Sequence, residues 1–125
     1  MTAEIAVFNR NAVALAADSA ITVGDGGKIY NTANKLFTLS KYQPVGVMVY
    51  GNATIMGMPW ETVIKTYRDR LGRKSFPRLN EYASDFLKFL ESALDLFPAD
   101  QQEKYFRMRL QVMCNDLVQE ILKKI

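Results

Sequence analysis

The apolar positions along the chain change their period once. From Ala3 to Tyr50 they fall in short runs. Ala3-Glu4-Ile5-Ala6-Val7-Phe8 and Ala12-Val13-Ala14-Leu15-Ala16-Ala17 flank the turn-forming cluster Asn9-Arg10-Asn11, which predicts a β-hairpin. Both runs are almost continuously apolar, the pattern of strands covered on both faces inside a layered structure. Alanine is a weak strand former, so its abundance from Ala12 to Ala20 predicts close packing. A second hairpin is predicted from Lys35-Leu36-Phe37-Thr38-Leu39, a turn through Ser40 to Pro44, and Val45-Gly46-Val47-Met48-Val49-Tyr50. Between the hairpins, Gly24-Asp25-Gly26-Gly27 reads as a turn. No helix signal follows it, so the helix N-terminus that would hold a phosphate is missing.

After Gly51 the period becomes helical. Pro59 suits a first helical position, and Trp60, Val63, Ile64, Tyr67 and Leu71 recur at three- and four-residue steps up to Gly72. Ser75 is a candidate cap for a second helix with the apolar face Leu79, Tyr82, Phe86, Leu87, Leu90 and Leu94, ended by Pro98. A third helix from about Ala99 carries Tyr105, Phe106, Leu110, Met113, Leu117, Ile121 and Leu122 on one side. That stripe reads as core or as a surface for a partner helix. The expected class is α+β, in a single domain over 1–125 with hairpins over 1–50 and helices over 51–125.

Composition then removes whole chemistries. The chain has no histidine and one cysteine, Cys114. Ser-His-Asp and Cys-His catalysis are excluded, as are His-ligated metals, and no internal disulfide can form. No residue cluster implies a metal or organic cofactor. No segment is apolar enough to cross a membrane and the start lacks a signal-peptide pattern, so a cytoplasmic protein without membrane association is expected. The net charge of +3 is mild. Arg68, Arg70, Arg73 and Lys74 cluster but are interrupted by Asp69, which reads as a solvated helix end and not as a nucleic-acid surface.

Candidate chemistry lies near the start. Thr2 directly follows Met1; once Met1 is removed, a terminal threonine carries a hydroxyl and its own base, an α-amine of pKa about 7.7–8.0. That is a nucleophile and a base in one residue. Asp18 follows in Leu15-Ala16-Ala17-Asp18-Ser19, and Lys35 in Asn34-Lys35-Leu36-Phe37-Thr38-Leu39.

This order of hairpins and motifs resembles the N-terminal half of proteasome β-type and HslV-like subunits, the N-terminal-nucleophile hydrolases, over roughly Thr2 to Leu71. The resemblance implies a partial αββα sandwich and hydrolysis of peptide or amide bonds. It implies Thr2 as nucleophile, Lys35 as the cation that lowers the pKa of the nearby amine and hydroxyl, and Asp18 as the group that orients Lys35. A backbone N–H near Gly51 would stabilise the oxyanion. It further implies a homo-oligomer in stacked rings, a peptide or protein substrate and an ATPase as candidate partner. The family's two adjacent small residues are here Val49-Tyr50-Gly51, which would place a tyrosine ring along the substrate groove. The family's later strands, with a supporting Ser and Asp group, have no counterpart, so the chain is expected to be the N-terminal part of a longer subunit, to be completed by a partner, or to be a reduced relative. The alternative reading is a non-catalytic assembly module that keeps Met1 and uses its helices as an interface.

Overall fold

The computed structural model describes residues 3–19, 21–23, 28–30 and 34–124, with the backbone alone for 21–23 and 28–30. The class is α+β, with small antiparallel sheets and three helices. The chain divides into two compact units, Met1–Leu90 and Glu91–Ile125.

In the first unit, β1 (Glu4–Phe8) pairs with β2 (Val13–Ala17), Glu4 opposite Ala17 and Phe8 opposite Val13. The turn forms because the Asn9 side-chain oxygen accepts the N–H groups of Asn11 and Ala12, at 2.8 and 3.0 Å, an Asx turn that replaces ladder bonds with side-chain ones. β3 (Ile21–Val23) pairs with β4 (Lys28–Tyr30), a hairpin not anticipated from the sequence; the glycine-rich turn expected between the two predicted hairpins lies outside the described residues. β5 (Leu36–Thr38) pairs with β6 (Gly46–Met48), and Ser40 Oγ accepts from the N–H groups of Tyr42 and Gln43 at 3.2 Å to shape that turn. The two predicted hairpins touch: a Cβ added at Gly46 would stand 2.5 Å from Leu15 Cδ1, so a strand with no side chain at that point lets β6 approach β2.

A second hairpin was also not anticipated. β7 (Thr54–Ile55) and β8 (Met58–Pro59) are joined by Met56 and Gly57, both at positive φ, 49° and 82°. Two successive positive φ values match the turn that fits strand twist in a two-residue hairpin. It delivers the chain into α1 (Trp60–Leu71). Pro59 therefore precedes the helix, with an extended ψ of 134°, and is not its first turn. Gly72, at φ 55°, closes α1, and its N–H returns to the Arg68 carbonyl at 3.2 Å. α2 (Leu79–Ser92) begins four residues past Ser75, too far for Ser75 to cap it.

The core of this unit lies between the first two helices. Val63, Ile64, Tyr67 and Leu71 of α1 are buried, with Tyr82 and Phe89 of α2 and Leu39 beyond β5. The Tyr67 ring meets Phe86 edge-on at 5.0 Å and Phe89 at 5.3 Å. The buried face of α2 thus runs through Tyr82 and Phe89, whereas Leu79, Leu87 and Leu94 of the expected face are exposed. Aromatic width decides this: three large rings from two helices fill the seam that smaller leucines would leave open.

The expectation of strands covered on both faces is not met by β1 and β2. Ile5, Val7, Phe8 and Val13 are 62–76% exposed. Among the described residues each strand pairs only with its hairpin partner, and these side chains are open to solvent.

In the second unit, Pro98 stands before α3 (Ala99–Leu122) and its carbonyl accepts the Gln102 N–H at 3.0 Å. Gln102 Nε2 also donates to the Phe97 carbonyl at 2.7 Å, fixing the helix start. No residue of α3 is buried.

Candidate active site

Three short links bring the predicted site residues or their neighbours together. The Asp18 N–H donates to the Ala3 carbonyl at 3.0 Å, extending the β1–β2 ladder by one step. Ala3 is the covalent neighbour of Thr2; Thr2 itself lies outside the described residues. The Asp18 carboxylate accepts from Lys35 Nζ at 2.6 Å, joining the end of β2 to the start of β5 across 17 positions of sequence. Lys35 in turn accepts the Val49 N–H on its carbonyl at 2.8 Å, which holds the exit of β6, and so the approach to Tyr50 and Gly51, beside it.

The pair is unequal in exposure. The Lys35 side chain is 10% exposed and that of Asp18 32%. A mostly buried ammonium is costly unless its charge is met at close range, and here a carboxylate meets it. The Lys35 hydrogen bond is the main reason the Asp18 carboxyl titrates below its ordinary range; partial burial opposes the shift, and the Lys35 charge and the Ala3 backbone reinforce it. Asp18 is therefore ionised at neutral pH, as a positioning group for Lys35 requires.

Gly51 has φ 80° and open space around the point where a Cβ would sit. Its backbone is in the left-handed region that favours glycine. Tyr50 is 76% exposed, so its ring stands largely in solvent.

Glu4 was not singled out from the sequence. It sits beside Ala3 and opposite Ala17, and its Oε1 is buried with no hydrogen-bond partner among the described residues. A lone acidic residue in an otherwise apolar strand is the signal that could have found it. Comparison with protein-family models, curated proteins and solved structures gave no match.

The basic cluster is engaged within the first unit. Arg68 Nη1 donates to Thr38 Oγ1 at 3.0 Å; Arg70 lies over the Phe89 ring and Arg73 over Tyr42, 5.2 and 4.9 Å from the centroids. Lys74 bonds Asp85 at 2.7 Å and covers Phe76. These contacts tie the end of α1 to the β5–β6 turn and to α2. Among the described residues, no group of three or more His, Cys, Asp or Glu gathers to hold a metal, and no helix is long and apolar enough to cross a membrane.

Proposed function

We propose that the chain carries the site of an N-terminal-nucleophile hydrolase, acting on peptide or amide bonds. The supporting observation is the ion pair of a nearly buried Lys35 with Asp18, formed where Asp18 is hydrogen-bonded to the residue after Thr2. A solvated surface pair has no need of such burial, and isolated surface pairs contribute little.

In this reading Thr2, freed of Met1, attacks the scissile carbonyl carbon through its side-chain oxygen. Its hydroxyl proton passes to its own α-amine, and the C–O bond forms as the carbonyl becomes an oxyanion. A backbone N–H at the Gly51 turn donates to that oxyanion. Collapse breaks the C–N bond, the ammonium returns its proton to the leaving amine, and an ester of Thr2 remains. Water, deprotonated by the same amine, then hydrolyses the ester. Lys35 lowers the pKa of the amine and hydroxyl by its charge, and Asp18 keeps Lys35 oriented. The αββα sandwich, ring assembly, a protein or peptide substrate and a feeding ATPase belong to this proposal, as does a cytoplasmic setting.

The experiment is intact-mass spectrometry after incubation with a peptide epoxyketone, which requires both a hydroxyl and a free amine on one residue. The expected result is loss of Met1 and one adduct on Thr2, with Thr2→Ala unreactive and Lys35→Met slowed by about 10²–10⁴-fold. Unimpaired hydrolysis by Thr2→Ala would sink the reading. A retained Met1, or a processed Thr2 that never reacts, would favour the second reading, a non-catalytic assembly module, which the exposed apolar side chains of β1, β2 and α3 support.

A further inference from the structure

α3 presents an exposed apolar stripe. Phe106, Leu110, Met113, Leu117 and Ile121 are 43–65% exposed, and at 3.6 residues per turn they fall within one narrow band of the helix. The band from Phe106 to Ile121 is about 22 Å long. One edge of it is charged: Arg109, Asp116 and Glu120 line the same shallow groove as Phe106, Leu110 and Met113. Among the described residues, none of these three charges has an ion-pair partner.

We infer that the occupant of this face is α3 of a second copy of the chain, packed antiparallel about a two-fold axis near Met113. The charge order decides both partner and direction. In an antiparallel pair a given edge of one helix meets the same edge of the other, as a two-fold axis across the pair requires. Setting Phe106 against Ile121 and Leu110 against Leu117 of the second copy puts Arg109 level with residue 118 of that copy. It then lies midway between Asp116 and Glu120, and the symmetric contact repeats this at the other end. A parallel pair would instead bring that edge against the opposite one, where Arg107 stands near the level of Arg109, so like charges would face. Neutral apolar stripes alone would choose neither arrangement; the edge charges supply the choice.

The area is sufficient. With about half of each side chain open, the stripe offers on the order of 500 Å² per copy and about 1,000 Å² for the pair, the lower size of a specific interface. The inference does not depend on the hydrolase proposal, because none of the residues Thr2, Asp18, Lys35 or Gly51 takes part.

The test is sedimentation velocity of the full chain over a hundredfold range of concentration, with circular dichroism as a check on folding. The expected result is a concentration-dependent dimer. Leu110→Glu should give a monomer with unchanged helicity, since α3 has no buried residue whose loss would unfold the chain. Arg109→Glu should weaken the dimer by roughly tenfold or more, and adding Asp116→Arg should restore it. Cys114, the chain's single cysteine and an exposed one, borders the stripe, so a short bismaleimide should capture a covalent dimer in the wild type. A monomer at every concentration, a dimer indifferent to Leu110→Glu, or no rescue by the second charge reversal would each overturn the inference. None of these results bears on Thr2 reactivity, so failure here and failure of the hydrolase reading are told apart.

Discussion

Asp18 links the local electrostatics to an observable. Its folded pKa lies below the ordinary value of 3.8, chiefly through the Lys35 hydrogen bond. A carboxyl depressed in the folded state adds stability that is fully present above its unfolded pKa, near 3.9, and is lost as the pH falls through the folded value. The stability difference between wild type and Lys35→Met should therefore be constant from pH 5 to 7 and shrink below about pH 4. Thermal melts across that range check it; a difference that stays flat into acid would mean the pair contributes nothing through Asp18. Two turn residues make a second test at this scale. Met56 holds φ 49°, a region costly for a side chain with Cβ, while Gly51 at φ 80° carries no such cost. Met56→Asn should raise stability by about 0.5–1 kcal/mol, and Gly51→Ala should lower it by about 1 kcal/mol. Urea unfolding midpoints with unchanged slopes would measure both.

Between elements, the bond that couples α1 to α2 runs from the Tyr67 hydroxyl to Asp85 Oδ2 at 2.9 Å, with Lys74 on the other carboxylate oxygen at 2.7 Å. Burial, reinforced by Asp85, raises the Tyr67 pKa far above its ordinary value, so the hydroxyl remains a donor at every working pH. Tyr67→Phe keeps the ring against Phe86 and Phe89 and removes only that donor. It should cost about 1–2 kcal/mol, whereas Tyr67→Ala should cost about 3–5 kcal/mol because a cavity opens in the seam. Chemical denaturation separates the two, and equal losses would mean that the ring contributes little. These couplings also mark what was legible beforehand. The Asn9 and Ser40 turns and the Gly72 stop announced themselves because each works through one local side chain or one backbone angle. The Asp18–Lys35 pair was expected only through the resemblance, since nothing local to either residue points to the other. The β7–β8 hairpin was hidden because its strands are two residues long and Met56 is an improbable turn residue. The burial of α2 was misread because periodicity names a face only to within a side chain or two. Whether Phe89 or Leu87 turns inward depends on the rings it meets on α1, and those are known only from the folded pair.

At the scale of the whole molecule, the two units differ in what holds their helices. α1 and α2 share a seam of buried aromatic and aliphatic side chains, and opening either one exposes all of it. α3 is long enough to be partly helical alone, yet a helix whose stability comes from no packed face is marginal in water. Its internal support is small: the Gln102 contact at its start and the Glu103–Arg107 pair one turn further on. Hydrogen exchange should therefore be strongly unequal in dilute solution. Amides near Ile64 and Tyr67 should exchange only through opening of the α1–α2 seam, and those from Phe106 to Ile121 much faster. Raising the concentration should slow exchange across the α3 stripe and leave α1 unchanged, because self-association stabilises only what it covers. If α3 were already protected at the lowest concentration and insensitive to dilution, its cover would have to come from within the chain. The exposed stripe would then belong to another arrangement of the second unit. Uniform slowing of both units with concentration would instead place the contact on the first unit, where the apolar faces of β1 and β2 are the remaining open surface.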